Sequence, residues 1–204
     1  MLLAGAAALG GCAAGNKHSY TGTTPELAVS GTRIVVVAVR DARPYVVAGN
    51  RSANFVGRLR GPSGQPVDIL TESGNPLAAD FETTIAAALS AQGFKASVLP
   101  GVIPTDPQEI AAAVKRANAE RMVVVILAEW ASDTFVSTEL DYDVALTVYD
   151  ATGKGLGATR LTGRDSLGSD AADPRGHART AVPAAYRKII ERLFSVQPIV
   201  MSLQ

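Results

Sequence analysis

A single cysteine near the start of the chain is the residue most capable of covalent chemistry. It stands in the run Leu9-Gly10-Gly11-Cys12. A deprotonated thiol is a nucleophile that can accept a lipid group, and the two glycines leave the backbone open to a processing peptidase. Because Cys12 is the only cysteine, an intrachain disulfide and a cysteine-based zinc site are both excluded.

The residues before Cys12 indicate what this chemistry would be. Residues 2–9 are apolar or small and uncharged. They are far fewer than the roughly 20 needed to cross a bilayer and resemble the apolar part of a secretory signal peptide. Together with Leu9, Gly10 and Gly11 they resemble a bacterial lipobox, which predicts a signal peptide over residues 1–11 and lipidation of Cys12. The alternative is a free, buried cysteine in an Ala-rich helix.

The anchor also carries a prediction of location. Stable anchoring needs more than one lipid chain, as when a palmitate-type acyl group accompanies a diacylglyceryl group. Residue 13 is Ala rather than Asp, which in the lipoproteins of Gram-negative bacteria implies the outer membrane. We therefore predict a domain on its inner leaflet that faces the periplasm.

Charge is segregated along the chain although its formal net charge is zero. Residues 33–60 contain six arginines against Asp41 alone, and residues 129–150 contain six carboxylates without Lys or Arg. One interpretation is that the two segments are neighbours and neutralise each other. The other is that they form separate faces that dock a partner or a second copy. The candidate partner-binding residues are Arg40, Arg43, Arg58 and Arg60. In the neighbour interpretation, Arg40 and Arg43 approach Glu129 or Asp133.

Other patterns that could bear chemistry are better explained structurally. The glycines between residues 153 and 157 lack phosphate-loop spacing and indicate a hairpin turn. Asp141 and Asp143 would lie about 7 Å apart on one strand, which fits an exposed strand face better than a glycosidase pair. With only His18 and His177 in the chain, we predict no catalytic residues, no cofactor and no metal. The absence of a basic excess argues against nucleic-acid binding.

Periodicity predicts the elements that hold these residues. Runs of β-branched residues at 33–39 and 122–127 are typical of strands buried on both faces and would be parallel neighbours. Alternating apolar residues at 140–148 predict a half-exposed strand, followed by a turn and a polar strand at 156–165. Helices are predicted from residue 77, with Asn75 as its cap, from Asp106, and over 180–194.

These elements predict one α/β domain with an α+β-like, mixed parallel and antiparallel sheet and about three helices. Residues 55–59 and 67–70 are expected to form an edge hairpin or a flap. We assign residues 12–31 to a flexible tether, 32–197 to the globular domain and 198–204 to a C-terminal tail.

The arrangement resembles the YajG-type bacterial lipoproteins. The matching stretches are residues 35–43, residues 76–81 through 92–94, and residues 142–149 with the helix after them. The resemblance implies a lipid-anchored envelope protein and adds no functional residue beyond Cys12.

The predicted function is therefore a non-catalytic, periplasm-facing binding or structural domain anchored through Cys12, with an envelope protein as its partner. The alternative is an accessory lipoprotein subunit of an envelope transport, secretion or assembly complex. A cell-wall hydrolase is a further alternative, although the sequence offers no Ser/His/Asp or metal set for it. A homo-oligomer is compatible with the segregated charges.

Overall fold

The computed structural model describes residues 16–22, 24–61 and 63–204. Their strands form one mixed sheet, and their helices lie around it. In chain order the elements are β1 (Lys17–His18), β2 (Ile34–Asp41), α1 (Pro44–Val47), β3 (Phe55–Arg60), β4 (Pro66–Thr71), α2 (Leu77–Ala91), β5 (Lys95–Val98), α3 (Pro107–Arg116), β6 (Arg121–Thr134), β7 (Ser137–Asp150), β8 (Gly155–Ser169), α4 (Pro174–Ser195) and α5 (Gln197–Leu203).

The two β-branched runs form adjacent parallel strands at the centre of the sheet, as predicted. β2 pairs with the first half of β6, with Val36 opposite Met122, and β5 adds a further parallel strand beside β2. Alternate residues of β2 face two separate apolar clusters. Burial on both faces is why these runs lack the polar alternation of a surface strand.

The rest of the sheet is mostly antiparallel. β6, β7 and β8 form a meander, in which the predicted apolar positions of β7 are all buried. β3 and β4 form the expected hairpin, and β3 continues the sheet by pairing in parallel with the second half of β6. The predicted mixed sheet in a single α/β domain is thus confirmed.

Helices close the core from both sides. The larger apolar cluster includes side chains of α2, α4 and α5 and an aromatic group of edge-to-face contacts formed by Tyr20, Phe81, Trp130 and Tyr186. The smaller cluster lies under α3. Each aromatic contact adds about 0.5–1.5 kcal/mol to the free energy of area burial.

The described part of the segment assigned to a flexible tether is instead packed on the domain. β1 pairs in parallel with β4, and Tyr20, Leu27 and Val29 are buried. The polar composition of residues 12–31 obscured these widely spaced apolar anchors. Cys12 itself, like Leu9, Gly10 and Gly11, lies outside the described residues.

The C-terminal tail is likewise an ordered helix, because α5 buries Ile199 and Leu203. The three predicted helices are present as α2, α3 and α4, and the described residues also form α1 and α5. No helix in the described part of the chain is both long enough and apolar enough to cross a membrane.

The helix starts show which capping predictions were right. Asp106 caps α3, since its Oδ1 accepts hydrogen bonds from the amides of Gln108 and Glu109 at 2.9 and 2.8 Å. By contrast, Pro76 rather than Asn75 occupies the N-cap of α2. α4 begins six residues earlier than predicted, with Asp173 as its cap.

Candidate functional site

A β-bulge on β6 creates the face that carries the candidate site. Before the bulge, which lies between Leu127 and Glu129, alternate residues such as Met122 pack under α3. The extra residue inverts the alternation. Beyond the bulge Trp130 points into the main core. Glu129 points to the opposite face of the sheet, the one that α3 covers before the bulge, and lines a cleft there.

This cleft, which we call the β6–β7 cleft, has a volume of about 550 Å³. Its walls come from β3, the second half of β6, β7 and β8, with one side chain from α1. The lining residues are Tyr45, Phe55, Arg58, Glu129, Ala131, Ser132, Asp133, Asp141, Tyr142, Asp143, Thr162 and Gly163.

The carboxylates of the cleft all have protein partners. Asp133 forms an ion pair with Arg60, whose Nε donates at 2.9 Å. Asp143 accepts from Nε of Arg160 at 2.6 Å, and this bond lowers the pKa of the Asp143 carboxyl below its ordinary value. Asp141 lies 3.7 Å from Arg164. The two aspartates considered as a glycosidase pair are therefore engaged in cross-strand ion pairs.

Glu129 and Tyr45 form a part-buried polar contact in the cleft. The Tyr45 hydroxyl donates to Oε1 of Glu129 at 2.5 Å, and the same oxygen accepts from the Trp130 amide at 2.8 Å. Burial, followed by the bond to Glu129, raises the pKa of Tyr45 above its ordinary value. The phenol therefore remains a proton-bearing donor over the physiological range.

Arg58 differs from the other charged groups of the cleft. It is exposed, its backbone is in register with Asp133, and within the described residues it lies in no ion pair. Its guanidinium can donate several hydrogen bonds to an incoming acceptor. The cleft thus offers one uncommitted cation beside carboxylates that are already neutralised, an arrangement suited to binding polar groups.

The four predicted partner-binding arginines do not act together. Arg58 lines the cleft and Arg60 pairs with the lining residue Asp133, whereas Arg40 donates its Nη2 to the carbonyl of Pro104 at 2.9 Å. Arg43 is wholly buried and cannot contact a partner, so its assignment to a binding surface is wrong. Its guanidinium is enclosed by Asp41 and by backbone carbonyls from β3, β6 and the segment before β3.

The charged segments are nevertheless neighbours, as one of the two interpretations required. They meet where β3 pairs with β6, and there Arg60 forms an ion pair with Asp133. The pairing with Glu129 or Asp133 expected for Arg40 and Arg43 is wrong, because Arg40 donates to the Pro104 carbonyl and Arg43 binds Asp41 through Nε and Nη2 at 2.8 and 2.6 Å.

One buried contact between polar side chains, His18 and Ser132, was not predicted from the sequence. Nε2 of His18 lies 3.2 Å from Oγ of Ser132, and both side chains are buried. A Ser–His contact can support nucleophilic catalysis. Here, however, a Cβ placed on Gly57 would come within 2.1 Å of the Ser132 hydroxyl, so the β3 backbone closes off the oxygen. The residues are 114 positions apart, and no local pattern could have joined them.

Within the described ranges no group of three or more metal-ligating side chains is present.

Comparison with known proteins gives structural neighbours only. No family model matches the sequence, and no curated protein matches it. Protein XCC0632 from Xanthomonas campestris, described as DUF330, is 10% identical with a TM-score of 0.48, over 83% of this chain and 92% of that one. The PelC dodecamer from Paraburkholderia phytofirmans is 17% identical with a TM-score of 0.47, over 87% and 93%. Lipoprotein GNA1162 from Neisseria meningitidis is 12% identical with a TM-score of 0.32, over 78% and 99%. The relationship to YajG-type lipoproteins stays a prediction from the sequence.

Proposed function

We propose that this protein is a non-catalytic, lipid-anchored protein of the bacterial envelope whose domain binds another envelope component through the β6–β7 cleft. Cys12 would carry the lipid, and the outer membrane would hold the domain on its periplasmic side. The pattern Leu9-Gly10-Gly11-Cys12 supports the anchor.

The observation that carries the binding role is the state of the charges in the cleft. Asp133 and Asp143 are held by arginines, and Glu129 by Tyr45, so these carboxylates already accept hydrogen bonds from the protein. Asp141 is paired with Arg164, and Arg58 alone among the charged lining residues has neither an ion pair nor a side-chain hydrogen bond within the described ranges. A prearranged polar surface with an uncommitted guanidinium favours recognition over proton transfer.

The anchor is tested by replacing Cys12 with alanine. We expect the variant to accumulate as an unprocessed precursor and to lose labelling by radioactive palmitate, because no thiol remains to accept a lipid. Ala14→Ser, which keeps the thiol, is the matched control and should be processed and labelled like the wild type. Undiminished labelling of Cys12→Ala would exclude the anchor.

The cleft is tested by photo-crosslinking in intact cells. A photoreactive amino acid in place of Thr162 should give discrete adducts, identified by mass spectrometry, because this exposed position lines the β6–β7 cleft and leaves Arg58 in place. Lys95, an exposed cation on β5, is the control position and should give no such adducts. Equal patterns at both positions would contradict a binding role for the cleft.

The adduct also distinguishes the two binding functions. A transporter, pore or assembly protein would favour the accessory-subunit alternative. A second copy of this chain would indicate a homo-oligomer that uses the cleft.

A further inference from the structure

The connection between β6 and β7 exposes two large apolar residues. Phe135 and Val136 are each 50% exposed, and the Phe135 amide donates to the Ser137 carbonyl at 3.1 Å, which closes a tight turn. Tight turns usually carry small or polar residues. These side chains therefore project from the end of the β6–β7 hairpin without a packing role that accounts for them.

An apolar groove of about 370 Å³ begins at this hairpin tip. It passes Leu59 and reaches Pro174 and Arg175 at the start of α4. Leu59 and Arg175 also line a narrower pocket formed with Asn16 and Lys17. The hairpin tip and the point where the chain joins the sheet at Asn16 therefore lie at the same end of the molecule.

This end of the molecule is also basic. Lys17, Arg175 and Arg179 are exposed, and none of them forms an ion pair within the described part of the chain. Two exposed carboxylates, Asp170 and Asp173, lie beside them and keep their charge while they accept hydrogen bonds from backbone amides, so the cations exceed the carboxylates by one. We call the two apolar residues and these three cations the basal surface.

The position of Cys12 places a limit on how far the basal surface can lie from the lipid. The four peptide units from Cys12 to Asn16 span at most about 15 Å, at 3.8 Å between successive Cα atoms. The packed residues 16–22 and 24–31 cannot extend that reach, because β1 is fixed to β4.

We infer that the basal surface rests on the membrane that holds the anchor, with Phe135 and Val136 among the lipid headgroups and acyl boundary and Lys17, Arg175 and Arg179 against anionic headgroups. This inference rests on the proposed lipidation of Cys12. Apolar side chains flanked by Lys and Arg are the composition that binds anionic lipid interfaces.

A phospholipid surface fits the basal surface better than a second copy does. Two half-exposed side chains supply far less area than the ~800 Å² per partner that a stable protein interface buries. A symmetric contact would also bring like charges together, whereas anionic lipid complements them.

The test places a tryptophan at the hairpin tip and measures its contact with lipid. Lipidated full-length Phe135→Trp is reconstituted into vesicles of phosphatidylethanolamine and phosphatidylglycerol with or without bromine on the acyl chains. We expect the introduced indole to lose roughly half of its fluorescence in brominated vesicles, since bromine quenches only on contact and the apolar side chains sit at the headgroup–acyl boundary. Trp130, which is 0% exposed, supplies a constant background.

Met201→Trp is the matched control. Met201 is 61% exposed on α5, and its neighbour Ser202 binds Arg121, the first residue of β6. Phe135 follows the last residue of β6, so the two positions lie at opposite ends of a strand about 43 Å in contour length at 3.3 Å per residue. The Met201→Trp indole should not be quenched.

The charges are tested in the Phe135→Trp background. Reversing Arg175 and Arg179 to Glu should weaken the docked state about fivefold per cation removed, and quenching should fall. Position 175 lies in the first turn of α4, where Glu is favourable, and position 179 is exposed, so α4 should remain folded. Reversing Lys115 and Arg116 on α3, which are also exposed, should leave quenching unchanged.

The outcomes separate this inference from the proposed function. A lipidated, vesicle-bound chain whose tip indole is not quenched overturns the membrane contact and leaves the anchor intact. A blue-shifted but unquenched indole means that protein covers the tip, and also overturns it. A chain that carries no lipid and does not float with vesicles overturns both.

Discussion

Replacing Arg43 with methionine is expected to lower the free energy of unfolding by about 3–5 kcal/mol, the range for breaking a buried ion pair from one side. The guanidinium is 0% exposed and donates to Asp41 and to the carbonyls of Ala53 and Phe55. Burial by itself lowers the pKa of Arg43, but the bonds to Asp41 outweigh it and leave the pKa above its ordinary value. Methionine fills similar space while leaving these acceptors unpaired. Urea unfolding at neutral pH measures the loss.

The control for this substitution is Arg58→Met. Arg58 is exposed and in no ion pair within the described residues, so its replacement should change the free energy of unfolding by no more than about 0.5 kcal/mol. Adding Asp41→Asn to Arg43→Met should recover part of the loss, because the orphaned carboxylate is then neutral. A loss for Arg43→Met as small as that for Arg58→Met would show that the buried network is not stabilising.

Arg43 also shows where sequence reasoning stops. Apart from Asp41, its partners are carbonyls 10 to 87 positions away, and these converge only after β3 has paired with β6. The strands themselves could be predicted, because the β-branched runs of β2 and β6 and the alternation of β7 are local signals of burial. Charge gives no such local signal: an arginine in a loop has the same sequence context whether it is solvated or enclosed.

The bulge on β6 also prevents the candidate site from being predicted from the sequence. The run that ends at Leu127 was identified as a buried strand, but the continuation through Glu129 to Thr134 was not, since one extra residue inverts the faces. The sequence therefore places Glu129 and Asp133 just beyond a strand end as partners of Arg40 or Arg43, and it does not predict the β6–β7 cleft that they line. The packed residues between Asn16 and Gly31 were missed for a related reason, because Tyr20, Leu27 and Val29 are too far apart to form a periodic pattern.

The free energy of unfolding is expected to fall by about 2 kcal/mol between pH 7 and pH 5 through His18 alone. Burial, with a smaller contribution from Arg179, lowers the pKa of His18 from 6.5 to about 4 in the folded protein. Its Nδ1 has no hydrogen-bond partner within the described residues. Below pH 6.5 His18 therefore binds a proton in the unfolded chain, whereas in the folded domain it stays neutral until about pH 4. The contribution of His18 to the free energy of unfolding is therefore fully present above pH 6.5. It declines as the pH falls towards 4, by about 1.4 kcal/mol per pH unit.

The measurement compares urea unfolding of the wild type and His18→Gln at several pH values, because other groups titrate in the same range. Burial raises the pKa of Asp80 and of Glu82, and these carboxyls act in the opposite direction, since a raised carboxyl pKa favours the folded state as the pH falls. Their contribution is common to both proteins and cancels in the difference. His18→Gln should therefore lose about 2 kcal/mol less than the wild type between pH 7 and pH 5, whereas His177→Gln, which keeps His18, should follow the wild type. Parallel pH profiles for the wild type and His18→Gln would mean that His18 is protonated in the folded domain and that β1 admits water at its pairing with β4.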